Sequence, residues 1–317
     1  MSKSVGVFPA TGGLGGSTLK YLLEFSDPNS VTAILRKPET VLPKAKESAT
    51  VRSADYDVPA SLEHAFDGLS TLNIISYPSF EGEARFLRHK TAIDAARKSG
   101  VSHIFYSSLA FGGNCTDDSV ALVMEAHLKT ERYLKEIAAS DSSFTYTVVR
   151  IGLYSESFPI YTASFDLNAP TSEIRIPHNG TGPGIAWAKR EELGEAMARL
   201  ISKYQNSDHK FPFVNQTILL SGPRVWTLNE TVALFSILLK IPIHIKEVSI
   251  EEYASQPQVK RDLTYNGVDM SKEWADAWDA IRLCETAVVT PLLAQLLGRQ
   301  PEGFEKTIQH MVEQKNN

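Results

Sequence analysis

Two short stretches carry residue types suited to holding a charged cofactor. Between Phe8 and Ser17 the chain reads Pro9-Ala10-Thr11-Gly12-Gly13-Leu14-Gly15-Gly16. Glycines between an apolar strand and a helix let backbone approach a pyrophosphate, whose charge the helix N–H groups and dipole hold. The spacing is that of GxxGxxG with Pro9 in the first glycine position, followed by Gly12 and Gly15. Proline fixes φ at about −65° and has no N–H. Two outcomes follow: binding through Ala10, Thr11, Gly12, Gly13, Leu14 and Gly15, or a loop whose affinity Pro9 reduces. The second stretch is Leu35-Arg36-Lys37-Pro38. A dehydrogenase preferring NAD(H) carries an acid there for the ribose 2′-hydroxyl. Arg36 and Lys37 instead suit a 2′-phosphate, so NADP(H) is expected in preference to NAD(H). An ordinary exposed basic pair is the alternative.

These stretches need a scaffold, and the pattern supplies one. Short apolar runs at Val5–Phe8, Val31–Leu35, Ala49–Ala54, Thr71–Ser76, His103–Ser107 and Tyr146–Arg150 read as strands. Amphipathic stretches at Ser17–Phe25, Leu62–Phe66, Ala84–Lys98 and Ser119–Ala138 read as the intervening helices. Such alternation predicts an α/β fold with a doubly wound parallel Rossmann sheet. A helix at Glu191–Tyr204 and a strand at Thr217–Ser221 look like a return to that sheet. Ligands bind outside the carboxyl ends of open parallel sheets, which points to Tyr77 after strand four, Ser107 at the end of strand five, and Gly152 and Leu153 after strand six.

Beyond Ile151 the texture changes. Residues 155–185 are rich in Pro, Ser, Thr, Asn and Gly, and such long connections are rarely idle. The expected division is a nucleotide-binding domain of residues 1–152 and 186–224 and a smaller, mostly helical substrate or cover region of residues 153–185 and 225–317. In the latter, Ile241–Val248 is strand-like.

Bulk properties narrow the partners. The 317 residues are 43% hydrophobic and 22% charged, with a net charge of −5, which argues against broad nucleic-acid binding. Cys115 and Cys284 lie far apart without a metal-ligand spacing, so no metal is expected. No apolar run approaches membrane-spanning length. With no export signal read at the start, the expected location is the cytoplasm, the nucleus being a second option.

Further stretches carry a family resemblance. They are Ala54-Asp55-Tyr56-Asp57, His103 to Leu109, His127-Leu128-Lys129-Thr130-Glu131, Val149 to Glu156, Ala186 to Leu193, Leu220 to Leu228, and Leu296 to Pro301. In this order and spacing the chain resembles the NmrA-like branch of the atypical short-chain dehydrogenases/reductases over nearly its whole length. It is similar to NmrA-like quinone oxidoreductases and isoflavone-reductase-like proteins. The resemblance implies NADP(H) binding and divided functions. Some members reduce small carbonyl or quinone compounds; others bind dinucleotide and a protein partner without demonstrated turnover. A biosynthetic enzyme using the scaffold for a non-redox step is a third option.

The resemblance also assigns roles. Asp55 and Tyr56 are implied near the adenine, though Asp55 could instead cap a helix near Pro59. The stretch from Gly152 to Tyr154 is implied beside the nicotinamide. The Tyr-x-x-x-Lys pair common among short-chain enzymes is absent, since Glu125 precedes Lys129 by four. His127 then becomes the first catalytic candidate, able to protonate an oxyanion, with Glu131 on the same helix face to orient it. The alternative is a His–Glu pair that fixes this helix to the sheet. Tyr154 is the second catalytic candidate, and Phe111 and Phe158 are candidates for the wall of a pocket that takes a small flat substrate. Trp187, Arg190 and Glu191 read as structural, and Trp274 and Trp278 as core or a cover for the pocket.

Overall fold

The computed structural model describes residues 4–207, 210–265 and 267–315. Its strands in chain order are β1 (Val5–Phe8), β2 (Val31–Leu35), β3 (Thr50–Ser53), β4 (Thr71–Ile75), β5 (His103–Leu109), β6 (Thr145–Ile151), β7 (Glu173–Ile176), β8 (Gln216–Leu220), β9 (His244–Glu247), β10 (Thr264–Tyr265) and β11 (Val268–Asp269). The principal helices are α1 (Gly12–Phe25), α2 (Pro43–Ser48), α3 (Gly82–Lys98), α4 (Glu125–Ser140), α5 (Arg190–Gln205), α6 (Leu228–Leu239), α7 (Ile250–Ser255), α8 (Pro257–Leu263), α9 (Asp276–Arg282), α10 (Leu292–Leu297) and α11 (Phe304–Lys315).

The main sheet runs β3-β2-β1-β4-β5-β6-β8, and every neighbouring pair is parallel. A parallel sheet covered on both faces buries both sides of its strands, so central strands read as continuous apolar runs. All five residues of β2 and all four of β1 are buried accordingly. Each such Val, Leu or Ile contributes roughly 1.5–3 kcal/mol relative to exposure. One face packs against α1, α5 and α10 through Leu19, Leu22, Leu193, Met197 and Leu293. The other packs against α3 and α4 through Ile93, Ala96, Leu134 and Ile137. The order of strands reverses between β1 and β4, which opens a crevice at their carboxyl ends.

A second core lies beyond those ends. It joins Phe158, Tyr161, Trp187, Phe235, Trp278 and Phe304 with the short sheet of β7 and β9. Trp187 stacks on Phe304 with ring centroids 5.2 Å apart. This cover begins earlier in the sequence than expected, because Phe111, Met124 and Leu128 belong to its core. It also gives up α10, whose Leu293 and Leu297 pack on the nucleotide-binding layer.

Three helix boundaries differ from the pattern. Helix α1 starts at Gly12, five residues before Ser17, so the glycine run itself forms its first turns. Helix α4 starts at Glu125 after a short 3-10 turn at Leu122–Met124. Ahead of it, acids from the cover occupy the backbone: Val120 N–H donates to Glu285 at 2.9 Å and Leu122 N–H to Asp276 at 2.8 Å. The helix expected at Leu62–Phe66 is a 3-10 turn at Pro59–Leu62. Among the described residues, no helix is long and apolar enough to cross a membrane.

Candidate active site

The glycine loop is built to leave its donors free. Ala10 N–H donates to Ile34 O at 2.8 Å, so the chain stays paired to β2 one residue past Pro9. Gly12 then takes φ +76°, a left-handed turn that a side chain would strain. A Cβ on Gly15 would collide with the Pro9 carbonyl oxygen, so the loop can close onto the helix only with glycine there. Thr11 at the helix N-cap makes no side-chain capping bond, and no acid occupies the first turn. The first-turn N–H groups therefore face the crevice unmatched, together with the positive end of the helix dipole.

This loop forms one wall of a cavity of about 410 Å³ that also holds Arg36, Asp55, Tyr56, Tyr77 and Arg190. Thr11, Gly12, Gly13, Leu14 and Gly15 all line it; Ala10 and Lys37 do not. Ala10 is buried beneath the loop, and Lys37 is exposed outside it. Tyr56 is buried, its hydroxyl donating to Ile75 O at 2.8 Å. Asp55 accepts from the N–H of Asp57 at 3.0 Å, which closes its own turn, while Val58 occupies the N-cap of the following turn. Tyr77 donates to Asp57 at 3.0 Å, and Arg88 lies 4.7 Å over its ring. Burial, the Tyr265 hydroxyl and Asp57 hold the Tyr77 phenol well above its usual range. A 2′-phosphorylated dinucleotide fits this donor set, with Arg36 as the exposed cation at the end of β2.

A second cavity, about 480 Å³ and mostly apolar, adjoins the first and shares Leu14, Ile75, Ser76, Pro78, Tyr154 and Tyr265 with it. Its wall includes Leu109, Val123, Ile160 and Trp274, together with Ser107, Gly152, Leu153 and His127. Two residues of this wall each bury a polar atom that has no partner, His127 Nε2 and Ser107 Oγ. Tyr154 is half-buried at the junction of the two cavities, and burial pushes its phenol up to about 12.

The hydrogen bonds around His127 assign its tautomer. Tyr77 N–H donates to His89 Nε2 at 2.9 Å, so the proton of the neutral His89 ring sits on Nδ1. That N–H faces Thr130 Oγ1 at 2.9 Å and Tyr106 Oη at 3.3 Å. Thr130 gives its own proton to Ala126 O at 2.7 Å and is left to accept. The Tyr106 O–H therefore points at His127 Nδ1, 2.9 Å away. With Nδ1 accepting, neutral His127 carries its proton on Nε2, the unpartnered atom. Burial, then Arg85, His89 and Arg150, hold its pKa well below 6.5, so the ring stays neutral.

Glu131 does not orient His127 as expected. Its carboxylate is taken up by Arg150, with Nη2 at 2.8 Å, and by Ser108 Oγ at 2.5 Å. Tyr106 and His89 do the orienting instead. Phe111 and Phe158 are likewise displaced from the proposed pocket wall: both sit inside the cover core, Phe158 packing 4.8 Å from Phe235. Arg190, read as structural, lines the nucleotide crevice, where its guanidinium reaches the loop so closely that a Cβ on Gly13 would strike it. Trp274 lines the apolar cavity and Trp278 lies in the core.

Sequence reasoning missed Arg85, His89, Tyr106, Arg190 and Tyr265. A signal for two of them existed: the buried face of α3 is Arg85, His89, Ala92, Ile93 and Ala96. Two polar residues in a helix's inward stripe are out of place unless something there needs them.

The sequence matches the NmrA-like family over residues 1–267. The chain belongs to this family. It is 29% identical over 294 residues to the NmrA-like family domain-containing oxidoreductase flvB of Aspergillus flavus, covering 92% of this chain and 89% of that protein. It is 32% identical over 231 residues to quinone oxidoreductase 2 of Escherichia coli, covering 72% of each. The structure of the NADPH-dependent quinone oxidoreductase QOR2 of Escherichia coli, complexed with NADPH, superposes with a TM-score of 0.77 at 25% identity, covering 97% of this chain and 99% of that one. The NADP(H) complex of the Citrobacter sp. triphenylmethane reductase superposes with a TM-score of 0.73 at 26% identity, covering 97% and 99%. Among NmrA-like proteins, then, the similarity includes proteins solved with the cofactor that the glycine loop and Arg36 suit.

Proposed function

We propose that this NmrA-like oxidoreductase binds NADPH in preference to NADH and reduces a small carbonyl, quinone or enone compound held in the apolar cavity. The observation that carries the reading is the buried, unpartnered Nε2–H of His127, a residue that lines that cavity next to the nucleotide crevice. An orphaned buried donor costs about 1–3 kcal/mol, a penalty relieved when an acceptor arrives.

The residues divide the work. The N–H groups of Gly12 to Gly15 and Arg190 would hold the pyrophosphate, Arg36 the 2′-phosphate, and Asp55 and Tyr56 the adenine end. The cofactor supplies a hydride when bound. His127 donates a hydrogen bond from Nε2 to the oxygen on which negative charge develops. As a neutral imidazole it stabilises this charge and does not deliver a full proton. Tyr154, a neutral phenol at the junction, is placed to give the oxygen its proton. Leu109, Val123 and Trp274 exclude water and offer flat apolar surface, and the volume suits a drug-sized ligand. A well-formed cavity favours this reading over a dinucleotide sensor without turnover. The chain is expected to work in the cytoplasm.

Calorimetric titration with NADPH, NADP⁺, NADH and NAD⁺, repeated for Arg36→Ala, tests the cofactor half. A charge-assisted hydrogen bond is worth about 1.5–3 kcal/mol, so NADPH affinity should fall roughly 10- to 100-fold in the variant while NADH affinity holds. Absence of binding to all four nucleotides would overturn the reading.

A further inference from the structure

Arg85 is a charged side chain on the cavity wall with no counter-ion of its own among the described residues. It sits on the inner face of α3, 9% exposed, and lines the apolar cavity. Its Nε donates to Ser76 Oγ at 3.0 Å. Ser76 in turn lies 3.0 Å from His89 Nε2. Among the described residues no carboxylate pairs with Arg85, and the titratable groups that favour its charge are the phenols of Tyr106, Tyr56 and Tyr154.

The contrast with Arg150 is informative. That guanidinium is fully buried, and it is matched by both oxygens of Glu131 and by the carbonyls of Phe111, Gly112 and Thr116. The fold therefore completes one buried arginine and leaves the other short. A guanidinium has five N–H donors, and a single bond to Ser76 leaves most of them without a protein acceptor. A buried cation without a counter-ion is expensive, and here the unmatched charge stands on the wall of a cavity large enough for a small molecule. The planar fork matches two oxygens of one group.

We infer that Arg85 is an anion-recognition residue of the substrate cavity, and that preferred substrates are flat apolar molecules bearing a carboxylate or an ionised hydroxyl. The inference rests on the reduction proposed above for the location of the substrate. The anion would pair with Arg85 from inside the cavity, and the rest of the molecule would lie against Trp274 and Val123. The nucleotide's phosphates belong to the other cavity, which Arg85 does not line.

The test separates charge from shape and binding from turnover. Calorimetry on the full chain saturated with NADP⁺ compares 2-naphthoate with uncharged 2-naphthamide, in wild type and in Arg85→Gln and Arg85→Lys. The expected result is naphthoate bound at least about tenfold more tightly than naphthamide by wild type, as one charge-assisted bond allows. In Arg85→Gln that preference should vanish with naphthamide affinity unchanged, and Arg85→Lys should keep part of it. Equal affinity for the two probes in wild type, a preference that survives in Arg85→Gln, or loss of both probes together would overturn the inference. If the Arg85-dependent preference holds but no quinone or enone oxidises NADPH, the anion site stands and the proposed reduction fails.

Discussion

The Tyr106 hydroxyl is the one donor that decides which nitrogen of His127 carries the proton, so Tyr106→Phe is the most informative perturbation. The substitution keeps the ring, whose centroid is 5.4 Å from His89 and 5.9 Å from His127, and removes a single buried O–H. His89 Nδ1–H retains Thr130; His127 Nδ1 loses its partner. A net hydrogen bond is worth about 0.5–1.5 kcal/mol and an orphaned acceptor about 1–3 kcal/mol, so stability should fall by about 1–2 kcal/mol. The same bond sets the tautomer bias. Losing about 0.5–1.5 kcal/mol of bias lets the Nδ1–H form compete, and since an unbiased ring still carries its proton on Nε2 about half the time, kcat should fall about twofold. His127→Ala removes the donor itself and should lower kcat about 100- to 1,000-fold, as loss of one oxyanion donor does. The assay is steady-state NADPH oxidation with a quinone acceptor, with KM for NADPH expected unchanged in both variants. Because burial and Arg85 hold the imidazole neutral, wild-type kcat should also be flat from roughly pH 6 to 8. Full activity in His127→Ala, or a wild-type inflection near pH 6.5, would refute the reasoning.

Two further outcomes follow. Gly15→Ala should weaken NADPH binding at least about tenfold and destabilise the fold by about 1–3 kcal/mol, because its Cβ meets the Pro9 backbone. In Gly16→Ala the new Cβ meets nothing within 4 Å; that variant should bind normally and gain about 0.5–1 kcal/mol as a better helix former, so equal effects in calorimetry and melting would contradict the packing argument. Three buried histidines, His89, His127 and His178, have pKa values held down by burial, the last to about 4. Below pH 6.5 the unfolded chain takes up protons that the folded one refuses, so stability falls with pH from about 6.5 towards the depressed folded values. At pH 5.5 the three together should cost about 4 kcal/mol relative to pH 7.5, read by denaturant unfolding at the two pH values; identical curves would show that the rings titrate freely.

The fold was legible because its information is local. Continuous apolar runs such as Val31–Leu35 mark strands buried on both faces, and the glycine run after Val5–Phe8 marks the turn at which ligands bind. Where local reading failed, a distant residue had intervened. Ser119 to Ala121 look helical, yet Glu285 and Asp276 hold the backbone N–H groups of Val120 and Leu122 outside the helix. Phe111 reads as a loop aromatic near the crevice, but the cover reaches back to bury it.

The candidate site was legible in its positions and not in its chemistry. His127 could be placed on the right helix from spacing, and Glu131 four residues on was the natural orienting partner. The structure assigns that work elsewhere because Arg150, on β6, captures Glu131 first, with two charge-assisted bonds. His127 is then held from β5 by Tyr106, and Tyr106 lies against His89 on α3, so the proton on Nε2 is fixed by residues 38 positions apart in sequence, from His89 to His127. No periodicity encodes such a chain, since each link depends on which partners the previous group has already engaged. The sequence does mark where to look: Arg85 and His89 interrupt an otherwise apolar buried stripe on α3. A charged and a polar residue persist on a buried face only at a cost, and here one sets a tautomer while the other stands without a counter-ion at the cavity wall. The two anomalies of a single helix face thus point to the same cavity from different chemistries.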